Sequence, residues 1–214
     1  PIELRTGNSG EDDDYKTTNR NTFSLDLSWS QIVNQRLQLM LDAEAVYQHG
    51  YLGLPFHRVY FTDNSVHVEN LPSDRLKIPL SIRANYFISD KLILRSWYRF
   101  YHDDWNINSN TVQLETVVKL SPFFSITPFY RFYQQTAANY FAPYGAHTAA
   151  DTYYTSNYDL SKFNSNFFGV GFRVAPPNGV FEIQHLNSLE VRYGHYKKTT
   201  DMNSDIISLN LKFK

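Results

Sequence analysis

The residues best equipped for chemistry are four arginines, Arg83, Arg95, Arg99 and Arg131, together with one carboxylate, Glu115. Each lies in a stretch that alternates apolar and polar residues, on the polar side of the alternation. Guanidiniums gathered on one face of neighbouring strands make an electropositive surface that selects anions. Folding the chain back about its short turns puts Gln113 near both Arg99 and Arg131, with Glu115 diagonal to them. The same residues also fit a plainer role, an internal salt-bridge network that stiffens a wall. Both readings stay open at this point.

A second group is aromatic. The segment Thr136–Lys162 carries Tyr140, Phe141, Tyr144, Tyr153, Tyr154 and Tyr158 and almost no aliphatic residue. Tyrosine offers large contact area at low entropic cost, which suits sugars, peptides or a partner protein. A loop folded over a mouth and packing its own rings would read the same way. Weaker candidates fall away on spacing. The acidic run Glu11–Asp14 supplies oxygen ligands but lacks the pattern and turn glycine of a calcium loop, so it reads as solvated surface. In His102-Asp103-Asp104, adjacent strand residues point to opposite faces, so the three converge only where a strand has already ended. A hydrolase needs a nucleophile beside a base. No Ser–His pair shares the wet face, and His195 falls on the apolar face near a rim. Neither a cofactor nor a metal site is expected.

What must position these residues is a set of amphipathic strands. The last stretch, Ser204–Lys214, puts Ile207, Leu209, Leu211 and Phe213 on one face and Ser208, Asn210 and Lys212 on the other. The pattern recurs along all 214 residues. Mean hydropathy is −0.44, and no apolar run approaches the roughly 18 residues of a membrane-crossing helix. A transmembrane barrel hides from such averages, because its wet inner face dilutes the signal. Aromatics reach 16%, a surplus expected where rings meet both lipid and water. A net charge of −1 gives no field that would draw nucleic acid, and the absence of cysteine leaves no disulfide framework.

The expected fold is therefore all-β, an antiparallel up-and-down transmembrane β-barrel of the outer-membrane type. Strands are expected at Arg20–Ser30, Arg36–Gln48, Arg75–Ile88, Leu92–Tyr101, Thr111–Leu120, Phe124–Gln135, Phe163–Val174, Asn187–Lys197 and Ser204–Lys214. With the stub Ile2–Arg5 this chain contributes nine to ten, all of residues 1–214 forming the C-terminal part of one barrel. The segment 49–74 has room for a small hairpin of its own, from HRVYF and SVHVEN. Short turns (31–35, 89–91, 121–123) gather at one end and long loops (6–19, 49–74, 136–162) at the other. That asymmetry places the long loops outside the cell and the C-terminus in the periplasm. Trp29, Tyr86 and Phe213 lie near the short-turn end, and Tyr47, Phe100 and Phe132 near the long-loop end, as two aromatic girdles. The apolar end of the final strand, Leu209, Leu211 and Phe213, reads as the signal for barrel-assembly machinery. The opening residues Ile2–Arg5 read as the end of a strand already under way, so a longer precursor is expected.

Three runs carry a resemblance: RLKIPLSIRANYF from Arg75, LRSWYRFYHDDW from Leu94, and the tyrosine-rich stretch from Thr127 to Arg173. They resemble an uncharacterised family of Gram-negative outer-membrane proteins, catalogued as a domain of unknown function. The resemblance covers nearly the whole chain. It implies a precursor about twice this length with a signal peptide, and roughly sixteen strands in all. It implies no activity and no residue role. The function expected first is a non-enzymatic barrel embedded in outer-membrane lipid, structural or partner-binding within an envelope complex. The alternatives are a pore with a basic lumen patch and, less favoured, a barrel enzyme acting on lipid or peptide.

Overall fold

The computed structural model describes residues 20–214. The stub Ile2–Arg5, the loop 6–19 and the acidic run Glu11–Asp14 lie outside the described residues. Eleven strands follow in order: β1 Arg20–Asn34, β2 Leu37–Gly50, β3 Arg58–Tyr60, β4 Val66–Val68, β5 Asp74–Ser89, β6 Leu92–Asp103, β7 Asn108–Ser121, β8 Phe124–Gln135, β9 Phe163–Val174, β10 Leu186–Lys198 and β11 Met202–Phe213. Nine form one antiparallel sheet in the order β1-β2-β5-β6-β7-β8-β9-β10-β11, and β3 pairs with β4 as the small hairpin expected within 49–74. The described sheet is open, with β1 and β11 at its edges.

The two faces follow the alternation. Leu76, Ile78, Leu80, Ile82 and Tyr86 on β5 are exposed on the outer face, as are Val112 and Leu114 on β7 and Phe168 and Phe172 on β9. Large apolar side chains left bare over so many neighbouring strands need lipid against them. Leu209, Leu211 and Phe213 line the same face of the edge strand β11.

The short turns share one device. Asn34 Oδ1 accepts the backbone N–H groups of Arg36 and Leu37 at 2.8 and 3.0 Å. Ser89 Oγ accepts from Lys91 N, and Ser121 Oγ from Phe123 N and Phe124 N. Side chains that cap their own turn in this way set the hairpin register. At the opposite end another pattern repeats on the outer face. Tyr47, Tyr98, Tyr130 and Tyr193 each reach toward the loop end on the neighbouring strand. Their hydroxyls donate to Asp74, Asn110 (2.7 Å), Asn166 (2.7 Å) and Asp205 (2.8 Å), respectively. Each clasp ties together two strands that join at that end. A ring in lipid with its hydroxyl on a polar partner fits the membrane boundary.

Several strand ends and connections differ from the sequence reading. β1 runs on to Asn34, so the first turn is Gln35–Arg36. The polar loop expected at 102–110 shrinks to residues 104–107, because His102 pairs with Asn108 inside the ladder and Trp105 and Ile107 are buried. The alternation of short and long connections also breaks at the C-terminal end. Residues 175–185, with a single 3₁₀ turn at Val180–Glu182, sit at the short-turn end, while 199–201 makes a tight turn at the other.

Candidate functional site

The inner face carries the polar parity of every strand. Across its middle, cross-strand neighbours run Met40, Arg83, Trp97, Gln113, Arg131, Phe167. The row one step nearer the short turns runs Gln38, Asn85, Arg95, Glu115, Phe129, Gly169. A cavity of about 510 Å³ opens on these rows, lined by Arg83, Arg95, Trp97, Gln113, Glu115 and Arg131, among others.

Three of the four expected arginines therefore share one space. Arg99 does not. It lies opposite Thr111 rather than Gln113, because β6 and β7 pair further into the expected loop and the register moves by two residues. It borders two adjoining cavities instead, one of about 300 Å³ edged by Asp26, Asp42 and Glu44, the other of about 250 Å³ beneath the loops. Glu115 stands directly opposite Arg95. Its salt-bridge partner, however, is Arg192 on β10, at 3.0 Å. Nothing in the sequence pointed to this pairing, because the two residues lie 77 positions apart. Strands lie about 4.8 Å apart, so β7 and β10 are far apart along a flat sheet. Curvature and missing side chains bring them together. A Cβ on Gly171 would meet the Arg192 side chain at 3.1–3.2 Å, so glycine there leaves the wall bare for the arginine to cross. Phe129 lies over Gly169 in the same way, beneath the Arg192 guanidinium at 5.0 Å.

Hydrogen bonds link these groups into a chain. Arg192 Nη2 and Gln113 Nε2 both donate to Glu115 Oε1, at 3.0 and 2.8 Å. Arg131 Nε donates to Gln113 Oε1 at 2.6 Å. The salt-bridge network weighed as the plainer role thus exists, but it takes in only Arg192, Glu190, Glu115, Gln113 and Arg131. Arg83, Arg95 and Arg99 have no hydrogen bond or salt bridge among the described residues.

At the long-loop end the connections fold into a cap. Its floor is Trp105, Ile107 and Ala138, packed by Leu52, Leu71, Tyr101, Tyr140 and Leu160. The tyrosine-rich loop leans on the β3–β4 hairpin through backbone bonds between Asn70 and Tyr154 and between Thr62 and His147. Glu69 is buried between them and accepts from Leu54 N and Thr155 Oγ1, both at 2.5 Å. His147, also buried, directs Nδ1 at Asp151 Oδ2 (3.2 Å) and Nε2 at the Thr155 carbonyl (3.0 Å). The Thr148 backbone N–H, then His147, hold the Asp151 carboxyl below its ordinary range. Residues 159–161 turn onto the inner wall. There Gln135 Nε2 donates to the Asp159 and Ser161 carbonyls and Lys198 Nζ donates to Asp159 Oδ1 at 2.8 Å.

The six aromatic candidates all have ring partners. Tyr140 meets Trp105 and Tyr153, Phe141 meets Tyr158, Tyr154 meets Phe61, and Tyr144 meets Tyr60. Burial pushes the Tyr140 and Tyr154 phenols up. Tyr144 and Tyr158 remain 71% and 50% exposed.

His102, Asp103 and Asp104 diverge. His102 bonds Asn108 at 2.9 Å, Asp103 is buried against Arg75 and Tyr101, and Asp104 accepts from Leu76 N. His195 bonds Asp205 on the outer face. One cluster escaped the sequence reading: Ser65 Oγ lies 2.6 Å from Asp63 Oδ1 and 3.1 Å from His67 Nε2. The serine spends its only proton on the aspartate, so the histidine cannot act as its base.

Together, the bare apolar outer face, the charged inner face and the tall antiparallel strands define the wall of an outer-membrane β-barrel. The chain belongs to the protein family of unknown function DUF3570, whose model matches residues 7–209. No curated protein matches the sequence. Among solved structures, the chain is similar to a loop L8 deletion mutant of OmpT, an outer membrane protein of Vibrio cholerae. The TM-score is 0.55 at 10% identity, over 88% of this chain and 52% of that one. The chain thus spans about half of that barrel. A second similarity, to BauA, the ferric preacinetobactin receptor of Acinetobacter baumannii, has a TM-score of 0.42 at 10% identity, over 91% of this chain and 36% of that one.

Proposed function

We propose that the chain forms part of the wall of an outer-membrane pore that passes small hydrophilic solutes and favours anions. The observation that carries this is the inner face: Arg83, Arg95 and Arg99 project from β5 and β6 into adjoining cavities and make no hydrogen bond or salt bridge among the described residues. Charges kept in the wall for stiffness alone would be paired, as Arg192 and Glu115 are. In this reading the long-loop end faces outward, the C-terminus is periplasmic, and the cap narrows the mouth through Asp159–Ser161 without enzymatic chemistry. The test is reversal potential across planar bilayers holding the full-length protein in a potassium chloride gradient. Anion preference is expected, moving toward cations in Arg99→Ala. A protein without conductance, or with selectivity unmoved by that change, would rule the reading out.

A second reading, a cap that docks a partner in an envelope complex, rests on exposed Tyr144 and Tyr158. Removing Tyr140–Tyr158 should then release a co-purifying protein while leaving a heat-modifiable barrel.

A further inference from the structure

We infer that the inner wall holds a binding site for a multiply charged oxyanion, phosphate or carboxylate groups borne by a small solute, between the guanidiniums of Arg83 and Arg131 with Arg95 beside them. The inference rests on the passage reading and adds to it a saturable site.

The first ground is preorganisation. The chain from Arg192 through Glu115 and Gln113 fixes Arg131 by its Nε alone. Its two terminal nitrogens make no hydrogen bond among the described residues. One fixed guanidinium edge is thus left open, the geometry that grips a carboxylate or phosphate with two bonds. Arg83 faces it across Trp97, each guanidinium carbon lying 5.8 Å from the indole ring. The Trp97 Nε1–H is itself buried without a partner, so a donor waits beside the two cations.

The second ground is charge. The cavity gathers Arg83, Arg95 and Arg131, and its only carboxylate, Glu115, is already engaged by Gln113 and Arg192. Arg83 also borders the space edged by Asp26, Asp42 and Glu44, with Asp42 in its electrostatic reach, but forms no salt bridge to any of them. Asp42 is taken up instead by Ser28 and Ser81, at 2.7 and 2.9 Å. Like charges brought together in a recess repel, and a bound anion removes that cost. The volume, about 510 Å³, suits a small-molecule ligand.

The experiment is calorimetric titration of the detergent-solubilised full-length protein with pyrophosphate and, separately, citrate. Saturable one-to-one binding of at least one is expected, the tighter binder naming the group. Arg83→Gln and Arg95→Gln should each weaken it about tenfold. Neither side chain makes a hydrogen bond among the described residues, so neither change should disturb the fold, which heat-modifiability checks. Gln113→Leu should also weaken binding although it removes no charge, because Arg131 loses its tether. Lys119→Gln, an inward lysine outside this cavity, should leave binding intact. No saturable binding of either anion, or an equal loss in Lys119→Gln, overturns the site. Conductance without binding removes the site and leaves the passage; binding without conductance does the reverse.

Discussion

The cap and the inner wall treat their polar groups in opposite ways. In the cap, buried Glu69 makes two hydrogen bonds and His147 contacts an acceptor at each ring nitrogen. On the wall, Arg83, Arg95 and Arg99 stand without a hydrogen-bonded or salt-bridged partner, and the first two share a cavity with the network of Glu115, Gln113 and Arg131. A buried polar group left unpaired costs about 1–3 kcal/mol, so a segment that must hold its own shape pairs most of them, with His57 Nε2 an exception in the cap. A charge that faces water bears no such penalty and stays available. The contrast separates residues that build the molecule from those that meet its solute.

The largest effect should come from the junction between wall and network. A Cβ at Gly169 would lie 2.0 Å from the Tyr193 carbonyl oxygen and 2.6 Å from Gly194 Cα, so β9 and β10 would have to part. Gly169→Ala should cost roughly 3 kcal/mol in urea unfolding from vesicles and break the Glu115–Arg192 bridge. Unchanged stability would show that the strands separate more easily than this packing suggests. Next comes the cap. Glu69→Gln should replace one of its two acceptors by an amide and loosen the cap by roughly 1–3 kcal/mol. Hydrogen exchange at Leu54 and protease cleavage within 136–162 should rise while the barrel stays heat-modifiable; full protection would mean the cap is held elsewhere. The smallest effect is expected on the wall. Arg83→Gln and Arg95→Gln should each leave unfolding within about 0.5 kcal/mol of the parent. A larger loss from either would make that arginine a structural group and erase the contrast.

Much of this was legible in the residues. The period-two alternation from Arg20 to Phe213 named the strands and sorted each side chain to its face, because a strand leaves only two directions. The tight turns within 89–91 and 121–123 were readable as well, though not the side-chain acceptors Ser89 and Ser121 that close them. The hairpin inside 49–74 was readable too. The β6–β7 register was not. His102 and Asn108 look like loop residues, yet Trp105 and Ile107 find a floor under the cap that lets the ladder continue past Tyr101. With that register went the neighbour of Arg99.

The sequence by itself determined which side chains face water inside and which face lipid outside, since alternation is local and needs no partner. It also marked the arginines and the aromatic loop as the places to look. Tertiary structure alone decided which of those groups meet. Glu115 and Arg192 are 77 residues apart in the chain. They touch because a curved sheet brings distant strands together and because Gly171 leaves the intervening wall bare. Tertiary contacts likewise hold Asp159–Ser161 against Gln135 and Lys198. The fold also leaves Arg95 without a salt bridge, because Glu115, the acid directly opposite it, is claimed from across the sheet.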